Sequence, residues 1–170
     1  MCSSDLVTTT GSGPLTVDSN APLTIGANLN LSGAFIQSGG EVLLGGDIVV
    51  NNNAILFLGD VTLTGSKELN AGAGEITFSG AVSGDFALTA TAEGGIVKFV
   101  KSVEVNSLTA TANYITQEET VLTTGSIYYV GSPTIGGNIT STSGDFEATG
   151  GALFTSSVDI NTSGNNQNIS

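Results

Sequence analysis

Apolar and polar residues alternate along short stretches of this chain. Ile76 and Phe78 are separated by one polar residue, and so are Val97 and Phe99. A period of two predicts β-strands that bury one side. Gly, Asn or Ser-Gly interrupts the stretches, as in SGG at 38–40 and SGD at 83–85, and no helical period is evident. The pattern predicts an all-β protein of short strands and tight turns.

The stretches also repeat. The sequence Leu-Thr-Ala-Thr-Ala begins at Leu88 and again at Leu108, and the pattern Gly-x-[Val/Ile]-x-[Phe/Leu]-x-x-x-[Val/Ile] recurs as GEITFSGAV at 74–82 and GIVKFVKSV at 95–103. Its fifth position predicts one column of large side chains: Leu44, Phe57, Phe78, Phe99, Tyr129 and Phe154. Three short strands and three turns in about 20–25 residues are typical of one coil of a β-solenoid.

Stacking of coils explains the repeat. A single coil cannot bury its apolar side, whereas stacked coils pair each strand with its equivalent at about 4.8 Å. We expect Leu88 to lie over Leu108 in the interior, with the alanines beside them and the threonines outside. A β-sandwich is the alternative fold, and it explains short strands but not the repeat.

Charge narrows the classes of partner. The 170 residues carry 15 acidic and 3 basic side chains, for a net charge of −12. Nucleic acids and anionic membrane surfaces are bound through Lys and Arg, so neither is an expected partner. No apolar run is long enough for a membrane-spanning helix, and a single cysteine, Cys2, excludes an internal disulfide.

The first six residues, MCSSDL, are polar and unlike the rest of the chain. A DNA sequence that encodes Cys-Ser-Ser-Asp-Leu matches the end of a widely used sequencing adaptor, so we expect residues 1–6 to be a non-native leader, an artefact of sequencing. Residues 7–170 are then a single β-solenoid segment, truncated at both ends. Exposed strand edges at the ends of such a segment predict self-association.

The units GEITFSGAVSGDFALTATAEGG and GIVKFVKSVEVNSLTATA resemble the repeats of large bacterial surface exoproteins, the filamentous-haemagglutinin-like and autotransporter-passenger proteins with β-strand repeats. The resemblance covers most of the chain from about Leu15. It implies a right-handed parallel β-helix, export across the envelope and a secreted or cell-surface location. It implies no catalytic or cofactor-binding residue.

The residue types in the sequence give little support for a catalytic or metal site. The chain lacks His and Arg, which excludes Ser-His-Asp and Cys-His catalysis and His-containing zinc sites. Pairs of carboxylates remain as candidates for glycoside chemistry. They are Asp145 with Glu147, Asp47 with Asp60, and Glu118 with Glu119. We interpret them as surface and turn acids, and expect no enzyme activity, no cofactor and no metal; GGDIVVNNN at 45–53 holds only part of a calcium-binding repeat.

Two surface features are candidates for contact. Thr-x-Thr pairs at Thr89, Thr91, Thr109 and Thr111 predict a hydroxyl ladder, with further pairs at 62/64 and 140/142. The long interval from Phe99 to Tyr129 predicts an inserted loop whose acidic part is Gln117, Glu118 and Glu119.

The sequence therefore predicts a non-enzymatic structural or adhesive segment of a large secreted or surface protein. Its ligand would be a host surface, a matrix component or a carbohydrate. One alternative is a stand-alone ice- or surface-binding solenoid that uses the threonine ladder; a second is a carbohydrate-active β-helix.

Overall fold

The computed structural model describes residues 7–9 and 11–163, so the proposed leader at 1–6 lies outside the described residues. The described part is all-β, and its strands are β1 (Val7–Thr9), β2 (Leu15–Ser19), β3 (Leu23–Ile25), β4 (Leu29–Leu31), β5 (Phe35–Gly39), β6 (Val42–Leu44), β7 (Ile48–Val50), β8 (Ile55–Phe57), β9 (Val61–Leu63), β10 (Lys67–Asn70), β11 (Glu75–Phe78), β12 (Val82–Phe99), β13 (Val103–Gln117), β14 (Val121–Thr123), β15 (Ile127–Ile135), β16 (Ile139–Ser141), β17 (Phe146–Ala148), β18 (Leu153–Phe154) and β19 (Ile160–Thr162). No helix that could cross a membrane occurs within residues 7–9 and 11–163.

The strands form three parallel faces around one core. Face 1 contains β1, β4, β7, β10, the middle of β12 and β13, the start of β15, and β17. Face 2 contains β2, β5, β8, β11, the ends of β12, β13 and β15, and β18. Face 3 contains β3, β6, β9, the starts of β12 and β13, and β14, β16 and β19. The predicted parallel β-solenoid is confirmed; its handedness stays a prediction.

Some coils have the expected length of about 20–25 residues, and others are shorter. On face 3, Val61 pairs with Val82 and Val82 with Val103, which are steps of 21 residues. The next two steps, from Val103 to Val121 and from Val121 to Ile139, are 18 residues each. The coil length therefore varies within one chain, because corners gain or lose residues while the strands stay paired.

The repeated Leu-Thr-Ala-Thr-Ala packs as predicted. Leu88 pairs with Leu108, and both side chains lie in the core at 1% and 0% exposure. The alanines at 90, 92, 110 and 112 are buried beside them, and the intervening threonines face outward. Identical side chains thus lie one above the other in successive coils, which is the structural reason for the repeat.

Three phenylalanines on face 2 stack through the interior. The rings of Phe57 and Phe78, and those of Phe78 and Phe99, have centroids 5.3 Å apart in both pairs and are nearly parallel. Phe154 also lies in this column, but the prediction was wrong for Leu44, which lies on face 3, and for Tyr129, which lies on face 1. Each coil contains three similar turn-and-strand segments, so the nine-residue pattern fits more than one face.

The predicted insertion between Phe99 and Tyr129 is also wrong. Phe99 pairs directly with Gln117, and Gln117 pairs with Ile135, at the ordinary coil spacing. In this coil, Gln117 takes the place of the aromatic residue. The apolar pattern therefore did not identify the coil.

Asn and Asp side chains connect the coils at the corners. The Asn28 Oδ1 accepts a hydrogen bond from the backbone N–H of Asp47 at 2.8 Å, and the Asp47 Oδ1 accepts one from Glu68 at 3.0 Å. The Asp60 Oδ1 accepts one from the N–H of Ala81 at 2.8 Å. The same kind of contact is made by Asn52, Ser66, Ser126 and Asn138. These oxygens accept hydrogen bonds from backbone N–H groups of the following coil.

Candidate functional site

The predicted threonine ladder lies on face 1 and is two coils deep. Its members are Thr89, Thr91, Thr109 and Thr111, which pair as 89 with 109 and 91 with 111. The positions above and below them are Glu68, Asn70, Tyr128 and Val130. The ladder therefore ends after two coils, in a carboxylate and an amide on one side and in exposed apolar residues on the other.

The other Thr-x-Thr pairs do not extend this surface. Thr62 and Thr140 face outward on face 3, where Thr62 is next to Leu43 and Ser83. The neighbours of Thr140 are Leu122 and Asn161. Hydroxyl groups are thus distributed over separate faces, as on an ordinary polar sheet surface.

The proposed contact residues Gln117, Glu118 and Glu119 occupy different environments. Gln117 is 1% exposed in the core and cannot contact a surface ligand. Glu118 forms an ion pair with Lys98 at 2.7 Å, and Glu119 forms one with Lys101 at 2.9 Å. The Glu119 carboxylate raises the pKa of Lys101, first by its hydrogen bond and then by its charge. The acidic turn therefore contacts its own chain.

Gln117 instead satisfies polar groups inside the solenoid. Its Oε1 accepts a hydrogen bond of 2.8 Å from the hydroxyl of Tyr129. Its Nε2 donates to the backbone carbonyls of Glu119 at 3.0 Å and Gly137 at 3.1 Å, which belong to turns of two successive coils. Burial raises the pKa of Tyr129. Sequence reasoning missed this network, because the pattern gave Gln117 no place in the interior.

Most acids of the candidate carboxylate pairs lie just before a strand or form an ion pair. Asp47 precedes a face 1 strand and Asp60 precedes a face 3 strand, so these two carboxylates do not lie one above the other. Glu118 and Glu119 bind separate lysines. Asp145 precedes β17, and its N–H donates to the Ser126 Oγ at 3.1 Å. Across residues 7–9 and 11–163, no group of three or more His, Cys, Asp or Glu could hold a metal ion.

A surface concavity lies where face 3 turns into face 1. We call it the corner groove; it has a volume of about 510 Å³ and is lined by Ser83, Gly84, Asp85, Glu104, Val105, Leu122, Thr123, Thr124 and Thr142. A smaller concavity of about 250 Å³ lies between other coils at Asn28, Leu29, Asn30, Asp47, Val49 and Glu68. The sequence analysis did not identify the corner groove, since its residues come from four coils and form no local motif.

The last described coil is open. Phe154 pairs with Ile135 on face 2, in the column that holds Phe99 and Gln117. Ile135 is fully buried, whereas Phe154 is 48% exposed. Within the described residues, no strand pairs with β18 on its far side. The core column thus continues to this coil and presents an apolar ring at its end.

Comparison of the chain with protein-family models, with curated proteins and with solved structures yields no match. The function is therefore argued from the fold and from these surfaces.

Proposed function

We propose that this chain is a non-catalytic structural segment of a larger secreted or cell-surface protein, in which coil is added to coil to form a stiff rod. One observation carries the proposal. The core column through Phe99 and Ile135 runs on to Phe154, whose ring is half exposed in the last described coil. An apolar ring and an unpaired parallel strand are the surfaces on which a further coil packs.

The interior supports a mechanical role. Hydrogen-bonded ladders join successive coils on all three faces, and corner side chains such as Asp47 and Asp60 add contacts between coils. The buried side chains leave no polar atom without a partner within the described residues. Each coil is therefore stabilised by its neighbours, and force along the axis is shared among many backbone hydrogen bonds.

The open coil predicts end-to-end association of the isolated chain. Sedimentation velocity over a range of protein concentrations would measure it. We expect the wild type to form larger species as concentration rises, and Phe154→Asp to remain monomeric because a carboxylate at the end opposes packing of another coil. Tyr114→Asp is the matched control, since Tyr114 is 63% exposed on face 2 but lies away from the last coil.

Two results would reject the structural proposal. One is a wild type that stays monomeric at the highest concentration. The other is equal loss of association in both variants, because this would place the contact on the side of the rod or assign it to charge alone.

The resemblance to bacterial surface exoproteins supports a secreted or cell-surface location and an adhesive role. It also supports a host-surface, matrix or carbohydrate ligand for the full-length protein. Protease treatment of intact producing cells would test the location. We expect solenoid peptides to be released from unbroken cells, and their release only after lysis would contradict a surface position.

A further inference from the structure

The corner groove runs along the axis of the solenoid. Its lining comes from four successive coils, which contribute Ser83 and Asp85, then Glu104 and Val105, then Leu122 to Thr124, and last Thr142. At about 4.8 Å per coil, three steps give a length of about 14 Å. An extended peptide of about four residues has the same length.

A β-bulge forms part of the groove lining. The register between β12 and β13 shifts between Gly84 and Ala87, so that Asp85 and Phe86 together lie opposite Asn106. Gly84 has a φ of +122°, and a Cβ there would lie 2.6 Å from the carbonyl oxygen of Leu63. Only glycine fits this position, and the bulge leaves Asp85 exposed and Phe86 39% exposed. Bulges often reorient side chains beside binding sites.

All charged residues in the groove lining are acidic. Asp85 and Glu104 are its charged residues, and none of the chain's three lysines is in the lining. The Asp85 Oδ1 accepts a hydrogen bond of 3.4 Å from the Asn106 amide, while both carboxylates stay exposed to solvent. The chain as a whole carries a net charge of −12, so its field attracts cations and repels acidic ligands.

We propose that the corner groove binds an extended, basic segment of another polypeptide. Alternate residues of an extended peptide lie about 7 Å apart on the same side, so two Lys or Arg side chains can reach carboxylates in adjacent coils. The half-buried side chain of Leu122 contacts the methylene stems of these side chains. The hydroxyl groups of Ser83, Thr124 and Thr142 hydrogen-bond to the peptide main chain.

The test uses the full chain and the fluorescently labelled peptide Ser-Lys-Ser-Lys-Ser, with fluorescence anisotropy at low ionic strength. We expect saturable binding that weakens as salt is added, and no binding of Ser-Glu-Ser-Glu-Ser. The double variant D85N/E104Q should bind about fivefold or more weakly, because it removes both carboxylates from the groove.

The matched control is D18N/E93Q, which changes the net charge equally at two exposed carboxylates outside the groove. It should change the affinity by less than about twofold. Thermal unfolding of both variants checks that the fold is retained.

Three outcomes would overturn the proposal. They are no binding of the basic peptide, equal weakening by the two double variants, and binding of spermine as tight as that of the peptide. The second would show attraction to net charge alone, and the third would show recognition of amines without a peptide main chain. Because the groove lies on the side of the rod, each outcome is independent of end-to-end association.

Discussion

Gln117 replaces an aromatic residue in the face 2 column and connects two turns to the core. Its Nε2 donates hydrogen bonds to the carbonyls of Glu119 and Gly137, and its Oε1 accepts one from the Tyr129 hydroxyl. Gln37 has the same place below the phenylalanine stack, where it binds the carbonyl of Gly40 and the N–H groups of Leu58 and Gly59. Buried amides therefore border the aromatic stack on both sides.

The bond between Gln117 and Tyr129 predicts a strong coupling between two substitutions. Gln117→Leu should lower the free energy of unfolding by about 2–3 kcal/mol, since it leaves the buried hydroxyl without an acceptor. Tyr129→Phe should cost about 1–2 kcal/mol. Urea unfolding of the double variant should show a loss smaller than the sum by about 1 kcal/mol or more. If the losses of the two single variants simply added up in the double variant, this would contradict the hydrogen bond between the two side chains.

The buried phenol of Tyr129 also predicts a dependence of stability on pH. Burial raises its pKa above the ordinary value of 10.0, so the unfolded chain loses this proton first. Stability from this group is therefore complete below about pH 10 and falls above it, by about 1.4 kcal/mol per pH unit. Urea unfolding at several alkaline pH values should show this slope in wild type relative to Tyr129→Phe. Parallel curves for the two proteins would contradict the assignment.

At the scale of the strands, the stack of Phe57, Phe78 and Phe99 holds three coils together. Phe78 lies between two nearly parallel rings and is fully buried. Phe78→Ala should lower the free energy of unfolding by about 3–5 kcal/mol, through lost burial and the cavity it leaves. Phe86→Ala is the control, because Phe86 is exposed and its loss should cost less than about 1 kcal/mol. Equal costs in urea unfolding would show that the stack is not formed.

The sequence predicted the strands, the parallel coils and the stacking of Leu88 on Leu108. It could do so because identical residues recur where side chains lie above one another. It failed where a polar residue entered a core column, since Gln117 gives no hydrophobic signal. It also failed to assign faces to Leu44 and Tyr129, because all three faces use similar turn-and-strand segments.

The surfaces were less predictable than the core. The threonine ladder was identified by its repeat, but its extent depends on Glu68 and Tyr128, whose place beside it follows only from the register. The corner groove depends on a bulge at Gly84 and on residues from four coils. Neither the bulge nor the register can be obtained from local patterns, because both are set by pairing between coils.

At the scale of the molecule, the described part of face 3 contains seven successive strand pairings, from Leu23 to Ile160. At about 4.8 Å for each, this segment is about 34 Å long. We propose that such segments extend by stacking at their ends, where Phe154 is exposed. Growth should then lengthen the rod and leave its width unchanged.

Small-angle X-ray scattering over a concentration series measures length and cross-section together, and it is the most direct test. We predict that the maximum dimension of the wild type rises in steps of about 35 Å while the cross-sectional radius of gyration stays constant. Phe154→Asp should keep the dimensions of one segment at every concentration. A wild type whose length never changes, or whose cross-section grows, would contradict the claim.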